Sequence, residues 1–280
     1  MRVIWVAWLC AVVLATVVAT RHPAVAQSVP VDLRLVLAVD VSRSMNAEEQ
    51  YLQRIGYVEA FQNPVVIEAI QRGPRGRIAV TYVEWAGDQH VVVPWTLLDG
   101  RRSAEAFAER LLDAPTRVAR RTSISEALVF SPSLFDDPAF RGQRRVIDIS
   151  GDGPNNLGRN VVGARDLVIS KGITINGLPI LARSDSLAGF FDVANLDLYY
   201  EDCVIGGPGA FIVPVLETGG FAAAILRKII LEIAGLTPPP TRSATPRVLP
   251  AQFSRDGGRF DCRIGEKLWR EFMDGRGFEP

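Results

Sequence analysis

Short, nearly continuous apolar runs recur along the chain and restrict its fold more than any other feature. LRLVLAVDV (33–41), RIAVTYVEW (77–85), RVIDIS (145–150), TINGLPIL (174–181) and AFIVPV (210–215) are too short for typical helices and do not alternate apolar with polar residues. That pattern belongs to strands buried on both faces of a parallel sheet. HVVVPW (90–95) carries Pro94 and is assigned to a sheet edge. Helix-like segments fill the intervals: 47–61, broken at Asn63-Pro64 and resuming to 71, then 103–112, 123–135, 160–171, 192–203 and 221–234. Parallel neighbours need crossover connections, and helices must cover both faces of such a sheet. The expected class is therefore α/β, a doubly wound, mostly parallel six-stranded sheet with helices on both faces. Runs 77–85 and 90–95, joined by Ala86-Gly87-Asp88-Gln89, read as a hairpin that makes one edge antiparallel.

The two ends of the chain have different compositions. Met1-Arg2 precedes an apolar stretch over 3–19, and Ala24-Val25-Ala26 offers a small-x-small cleavage site, so 1–26 is expected to be a signal peptide and the product secreted or periplasmic. An uncleaved anchor is the alternative, since an apolar stretch of roughly 17 residues sits at the short limit for a bilayer span. The domain proper is expected over 27–236, with no membrane span after signal removal. Segment 237–250 holds five prolines and reads as an extended connector. Segment 251–280 is too small to fold alone, and its helical stretch 266–274 can lay Leu268, Trp269 and Phe272 on the main body. Cys203 and Cys262 are the two cysteines outside the signal, an even pair in an exported chain. A disulfide between them is expected, with two independent buried thiols as the alternative.

The first apolar run ends on Asp40, and Ser42 and Ser44 follow at alternate positions in DVSRSMNAEEQ. In open α/β sheets ligands sit outside the carboxyl ends of the strands, where strand order reverses. A carboxylate with two hydroxyls is a hard, all-oxygen set suited to Mg²⁺, Mn²⁺ or Ca²⁺. Three groups do not complete a six-coordinate shell. Thr122, just before a helix in RRTSISEAL, and Asp152, just after a strand in RVIDISGDGPNN, are the candidates to extend it. The alternative is that Ser42 and Ser44 cap the following helix and Asp40 accepts backbone N–H bonds.

This order, Asp-x-Ser-x-Ser followed by a distant Thr and an Asp after a later strand, resembles the metal-ion-dependent adhesion site of von Willebrand factor A domains. The resemblance runs over about 32–234. CVIGGPGAFIVP and the helix after it resemble a secreted bacterial family of A-domain-like proteins known as a domain of unknown function. The resemblance implies a divalent cation, Mg²⁺ first with Mn²⁺ or Ca²⁺ as options, held by Asp40, Ser42, Ser44, Thr122 and Asp152. It further implies a protein partner whose acidic residue completes the cation's shell, and no catalysis. Arg43 between the serines, and Arg120-Arg121 before Thr122, depart from the pattern. Arg43 and Arg121 are read as a rim that repels the cation, attracts an acidic partner, or is simply solvated.

Other chemistries have less material. Basic and acidic residues balance at 31 each, which gives no electrostatic footprint for nucleic acid. His90 is the one histidine outside 1–26, leaving little for a zinc site or a Ser-His-Asp triad. A Mg²⁺-dependent hydrolase or phosphatase using Asp40 is the rival function, although no second aspartate lies two residues on. A metal-free structural module is the third reading.

Overall fold

The computed structural model describes residues 27–182, 193–236 and 260–275. The expected signal segment, the Pro-rich connector and both ends of the appendage lie outside the described residues. In chain order the main elements are β1 (Val29–Pro30), β2 (Leu33–Asp40), α1 (Ala47–Gln62), α2 (Pro64–Gln71), β3 (Ile78–Trp85), β4 (Gln89–Leu98), α3 (Arg101–Asp113), α4 (Ile124–Leu134), β5 (Phe140–Arg141), β6 (Arg144–Gly151), α5 (Val161–Ser170), β7 (Thr174–Pro179), α6 (Leu196–Tyr199), α7 (Phe221–Ala234) and α8 (Ile264–Met273). Among the described residues no helix is long and apolar enough to cross a membrane.

The main sheet is mixed and has five strands in the order β4-β3-β2-β6-β7, with only β4 antiparallel to its neighbour. The expectation of six strands is corrected here. Segment 210–215 runs beside β7 only in isolated parallel bridges, Gly177 with Ile212 and Ile180 with Val215. Val213 N–H donates to the Gly177 carbonyl and Val215 N–H to the Pro179 carbonyl, but Pro179 of β7 has no N–H to return, and the ladder is interrupted there. Pro94 is accommodated on the edge strand as anticipated: the β3–β4 register shifts between Val80 and Tyr82, so Pro94 falls in a bulge.

Every residue of β2 is buried, and its side chains alternate between two apolar clusters. Leu33, Leu35, Leu37 and Val39 join Tyr57 and Phe61 of α1, Phe107 of α3 and Ile225 and Ile229 of α7. Val36 and Ala38 point the other way, to Ile124 and Leu128 of α4, Val168 of α5 and Tyr199 and Tyr200. A two-sided core explains why β2 reads as an unbroken apolar run. Asn63 ends α1 and caps α2: its Oδ1 accepts the Val65 N–H at 2.9 Å, with Pro64 in the first turn where no N–H is required.

Two buried ionic clusters tie the layers together. Arg54 of α1 pairs with Glu84 of β3 and donates to the carbonyl of Ala114 after α3. Asp148, mid-strand in β6, stands 2.7 Å from Lys228 Nζ, which also donates to Glu232 Oε1 at 2.7 Å. Asn176 Nδ2 donates to both Glu232 oxygens at 2.8 Å. The paired lysine accounts for a carboxylate inside an apolar strand. Burial lowers the Lys228 pKa, but the two carboxylates outweigh it and hold the ammonium above its ordinary range. Burial pushes the Asp148 carboxyl up to about 6, with Lys228 opposing the rise and Glu232 adding to it.

The C-terminal appendage is anchored by a Cys203–Cys262 disulfide with its Cα atoms 5.4 Å apart. Phe260 lies edge-on to Tyr199 at 5.7 Å, and its N–H donates to Asp202 Oδ2 at 2.8 Å. The docked helix begins at Ile264, two residues before the expected start, and Gly265 is its one buried residue. Leu268 and Phe272 are only half-buried.

Two measurements check this account. Because the folded carboxyl of Asp148 titrates above its unfolded value, its stabilising contribution is complete below the ordinary 3.8 and is lost as pH rises through about 6. Denaturant titrations between those limits should therefore show wild-type stability falling with pH relative to Asp148→Asn. The bridge spans 59 residues, so Cys203→Ser with Cys262→Ser should lower the unfolding free energy by about 4 kcal/mol in the chain-entropy model.

Candidate functional site

The central ladder brings the two strand-end aspartates together. β2 and β6 are parallel neighbours in register, with Val39 opposite Ser150. Asp40 therefore ends β2 beside Gly151, and Asp152 is the next residue. This is also where the sheet's strand order reverses, since β3 lies on one side of β2 and β6 on the other.

The loop after β2 is held in place from several sides. Val41 N–H donates to the Trp85 carbonyl, and Ser42 forms an isolated parallel bridge with Ala119. Gln53 Nε2 donates to the Asp40 carbonyl at 3.1 Å. Helix α1 is capped by Asn46, whose Oδ1 accepts from Glu49 N–H at 2.8 Å while Glu49 Oε2 accepts from Asn46 N–H at 2.9 Å. That capping box disposes of the reading in which the serines cap the helix. Their hydroxyls point elsewhere: Ser42 Oγ and Ser44 Oγ are 2.8 Å apart, and Ser44 Oγ donates to Asp152 Oδ1 at 2.7 Å. Ser42 N–H donates to Asp40 Oδ1 at 2.7 Å, the part of the helix-cap alternative that the structure retains.

Asp40 is fully buried, and its Oδ2 has no hydrogen-bond partner among the described residues. A Cβ on Gly151 would stand 2.8 Å from that oxygen and 2.9 Å from the Tyr200 hydroxyl, so glycine here leaves the carboxylate its space. Gly177 does the same for the Tyr200 ring, whose Cδ1 would be 2.7 Å from an added Cβ. The chain carries Tyr200 there in a wide π-type turn, Tyr200–Val204, that follows α6. Burial and the charge of Asp152 push the Asp40 carboxyl well above the usual carboxylate range, against hydrogen bonds from Ser42 and the Asp152 backbone. Two carboxylates crowded into one oxygen-lined crevice are a repulsive pair unless a proton or a cation intervenes.

Thr122 reaches the same rim through its backbone. Its N–H donates to Asn156 Oδ1 at 3.0 Å, and its carbonyl accepts the Asn156 N–H at 2.9 Å. Ser123 N–H donates to the Ala86 carbonyl, and Gly87 N–H to the Arg120 carbonyl, so this loop also rests on the end of β3. Arg43 and Arg120 are exposed. Arg121 is half-buried, has a left-handed backbone (φ 75°), and stacks its guanidinium on Trp269 of α8 at 3.6 Å.

Asn155 and Tyr200 were not singled out from the sequence. Asn155 is fully buried and joins three helices and its own loop: Oδ1 accepts from Ser125 N–H, Nδ2 donates to the Arg159 carbonyl and to Glu266 Oε1, and its N–H donates to the Tyr199 hydroxyl. The one signal for it was its place in GDGPNN, directly after a strand. Arg159 then closes the loop on α4 through Glu126, with Nε to Oε1 at 2.8 Å and Nη2 to Oε2 at 3.1 Å. Among the described residues no group of three or more His, Cys, Asp or Glu could hold a metal ion. The candidate set falls outside that description because three of its five members are hydroxyls.

A family model described as "Protein of unknown function (DUF1194)" matches residues 30–237. A comparison with curated proteins finds no match. Among solved structures, proximal thread matrix protein 1 (PTMP1) from the mussel byssus, in a form "with zinc occupied MIDAS motif", is 14% identical with a TM-score of 0.55, covering 74% of this chain and 49% of that one. The pilus adhesin SpaC from Lactobacillus rhamnosus GG is 12% identical with a TM-score of 0.52, covering 72% of this chain and 31% of that one. A von Willebrand factor type A protein from Catenulispora acidiphila is 13% identical with a TM-score of 0.48, covering 72% of this chain and 43% of that one. The chain thus spans about half or less of the length of these structures, and identities this low speak to the fold alone. The chain belongs to the DUF1194 family of proteins of unknown function, and its fold is von Willebrand factor A-like.

Proposed function

We propose that this chain is a secreted or periplasmic, adhesion-type module that binds a protein partner through a divalent cation held by Asp40, Ser42, Ser44, Thr122 and Asp152. The observation that carries the reading is the chain of oxygens across the rim. Ser42 Oγ to Ser44 Oγ is 2.8 Å and Ser44 Oγ to Asp152 Oδ1 is 2.7 Å. Adjacent ligands of an octahedral Mg²⁺, each 2.0–2.1 Å from the ion, stand about 2.9 Å apart, whereas the longer bonds of Ca²⁺ spread them to about 3.4 Å. Both separations are also ordinary O–H···O distances, so the oxygens stand gathered at a spacing that an ion the size of Mg²⁺ or Mn²⁺ fits without rearranging the loop. The orphaned Oδ2 of Asp40 and the crowding of two carboxylates support the same assignment.

The chain's own residues would divide the work. Ser42 and Ser44 turn their hydroxyls to the crevice because Asn46 has taken over the capping of α1. Asp152 supplies charge from β6, and Asp40 supplies it from β2 while its Oδ1 stiffens the loop through Ser42 N–H. The clasp between Thr122 and Asn156 keeps the third loop beside the second. A bound divalent ion would supply Lewis acidity toward an external carboxylate. The exposed Arg43 and Arg120 suit that acidic partner, since guanidinium groups pair well with carboxylates. The PTMP1 form with a zinc-occupied MIDAS motif supports a divalent ion in this fold.

Calorimetric titration with Mg²⁺ or Mn²⁺ should show binding by the wild-type chain and none by Ser42→Ala with Ser44→Ala. That double variant should keep its unfolding free energy within about 2 kcal/mol, the scale of the hydrogen bonds removed. Partner captured from an envelope fraction in Mg²⁺ should be released by EDTA, and retention in EDTA would count against the cation bridge. Mg²⁺-dependent phosphatase turnover that disappears in Asp40→Ala would replace the binding reading with a hydrolytic one.

A further inference from the structure

Helix α8 reaches the rim from outside the sheet, and its contacts fall on the loops that carry the candidate ligands. Its first turn lies against the backbone of Asn155: a Cβ on Gly265 would stand 2.1 Å from the Asn155 carbonyl oxygen. Glu266 Oε1 accepts from Asn155 Nδ2 at 2.9 Å. Asn155 sits three residues after Asp152 and directly before Asn156, whose side chain holds Thr122. One helical turn on from Gly265, Trp269 lies over the guanidinium of Arg121, the neighbour of Thr122, at 3.6 Å. Arg121 adopts a left-handed backbone that non-glycine residues seldom take, at φ 75°. Just before the helix, the Cys203–Cys262 bond secures the docking.

We infer that Trp269 is a positioning residue for the cation site: its ring holds the Arg121 charge off the Ser44–Asp152 side of the crevice, with Gly265 and Glu266 fixing the helix on Asn155. The inference rests on the cation-binding reading above. A guanidinium is attracted to an indole face, and stacking there costs it little hydration. Without the ring, the side chain adjoining Thr122 gains freedom to turn toward the two carboxylates and compete with a cation for them. The departure from the adhesion-site pattern at Arg121 is thereby compensated by a helix beyond the A-like domain.

Mn²⁺ titration of the full, oxidised chain tests this, with circular dichroism confirming that each variant is folded. Trp269→Ala should weaken Mn²⁺ binding on the order of tenfold, the effect expected from bringing one unit charge toward a divalent ion across a solvated gap. Trp269→Phe should retain wild-type binding, because the aromatic face is kept. Arg121→Ala alone should bind as the wild type does, and adding it to Trp269→Ala should restore the lost affinity. Gly265→Ala, which forces the helix off Asn155 with every charge and ring intact, should show the same loss as Trp269→Ala. Unchanged binding in Trp269→Ala, or a double variant as weak as Trp269→Ala, would overturn the inference while leaving the cation site standing. A wild-type chain that takes up no Mn²⁺ or Mg²⁺ would overturn the cation reading and the inference together.

Discussion

Parallel pairing of β2 with β6 is the constraint from which the rest of the molecule's chemistry follows. The register sets Val39 against Ser150, so the strands end level and deliver Asp40 and Asp152 to the same few ångströms. Asp40 cannot retreat into water, because it is fully buried between Trp85, Gly151 and Tyr200. The site thus begins as an electrostatic problem that the sheet imposes, and the hydroxyls of Ser42 and Ser44 are its local response.

The frame that enforces this proximity is unusually ionic. Lys228 with Asp148 and Glu232 joins α7 to β6, and Arg54 with Glu84 joins α1 to β3, all of them buried. Buried pairs of this kind contribute little net stability compared with apolar packing, yet breaking one is costly because it strands a charge. Each also requires its helix to sit where the charges meet, which ties α7 to β6 and α1 to β3. α7 and α1 pack on the strands whose ends form the rim. The appendage meets the rim as well, where α8 touches the loops of both Thr122 and Asp152 through Arg121 and Asn155.

The legible parts of this protein were those governed by short-range pattern. Buried strands announced themselves as apolar runs, the Asn63-Pro64 break as a cap followed by a first-turn proline, and Pro94 as an edge. Segment 210–215 was apolar enough to pass for a strand, but whether it forms a ladder depends on N–H groups aligned across the pair, and Pro179 of β7 lacks one. Periodicity does not register a single missing donor. Within DVSRSMNAEEQ the identity of the helix cap was open, because Ser and Asn both cap helices well; the Asn46–Glu49 reciprocal bonds take that role from the serines.

By itself the sequence determined the α/β class and the strand-end placement of Asp40, Ser42, Ser44 and Asp152, since each is encoded in spacing and residue type, while the bond between Cys203 and Cys262 was an expectation that the structure decided over two separate thiols. Only the tertiary structure decided that Arg121 is sequestered under Trp269, that Asn155 links the rim to the appendage, and that Asp148 is matched by Lys228. The physical reason is distance along the chain: these partners lie tens to more than a hundred residues apart and meet through side-chain packing. No local preference of either partner carries information about the other.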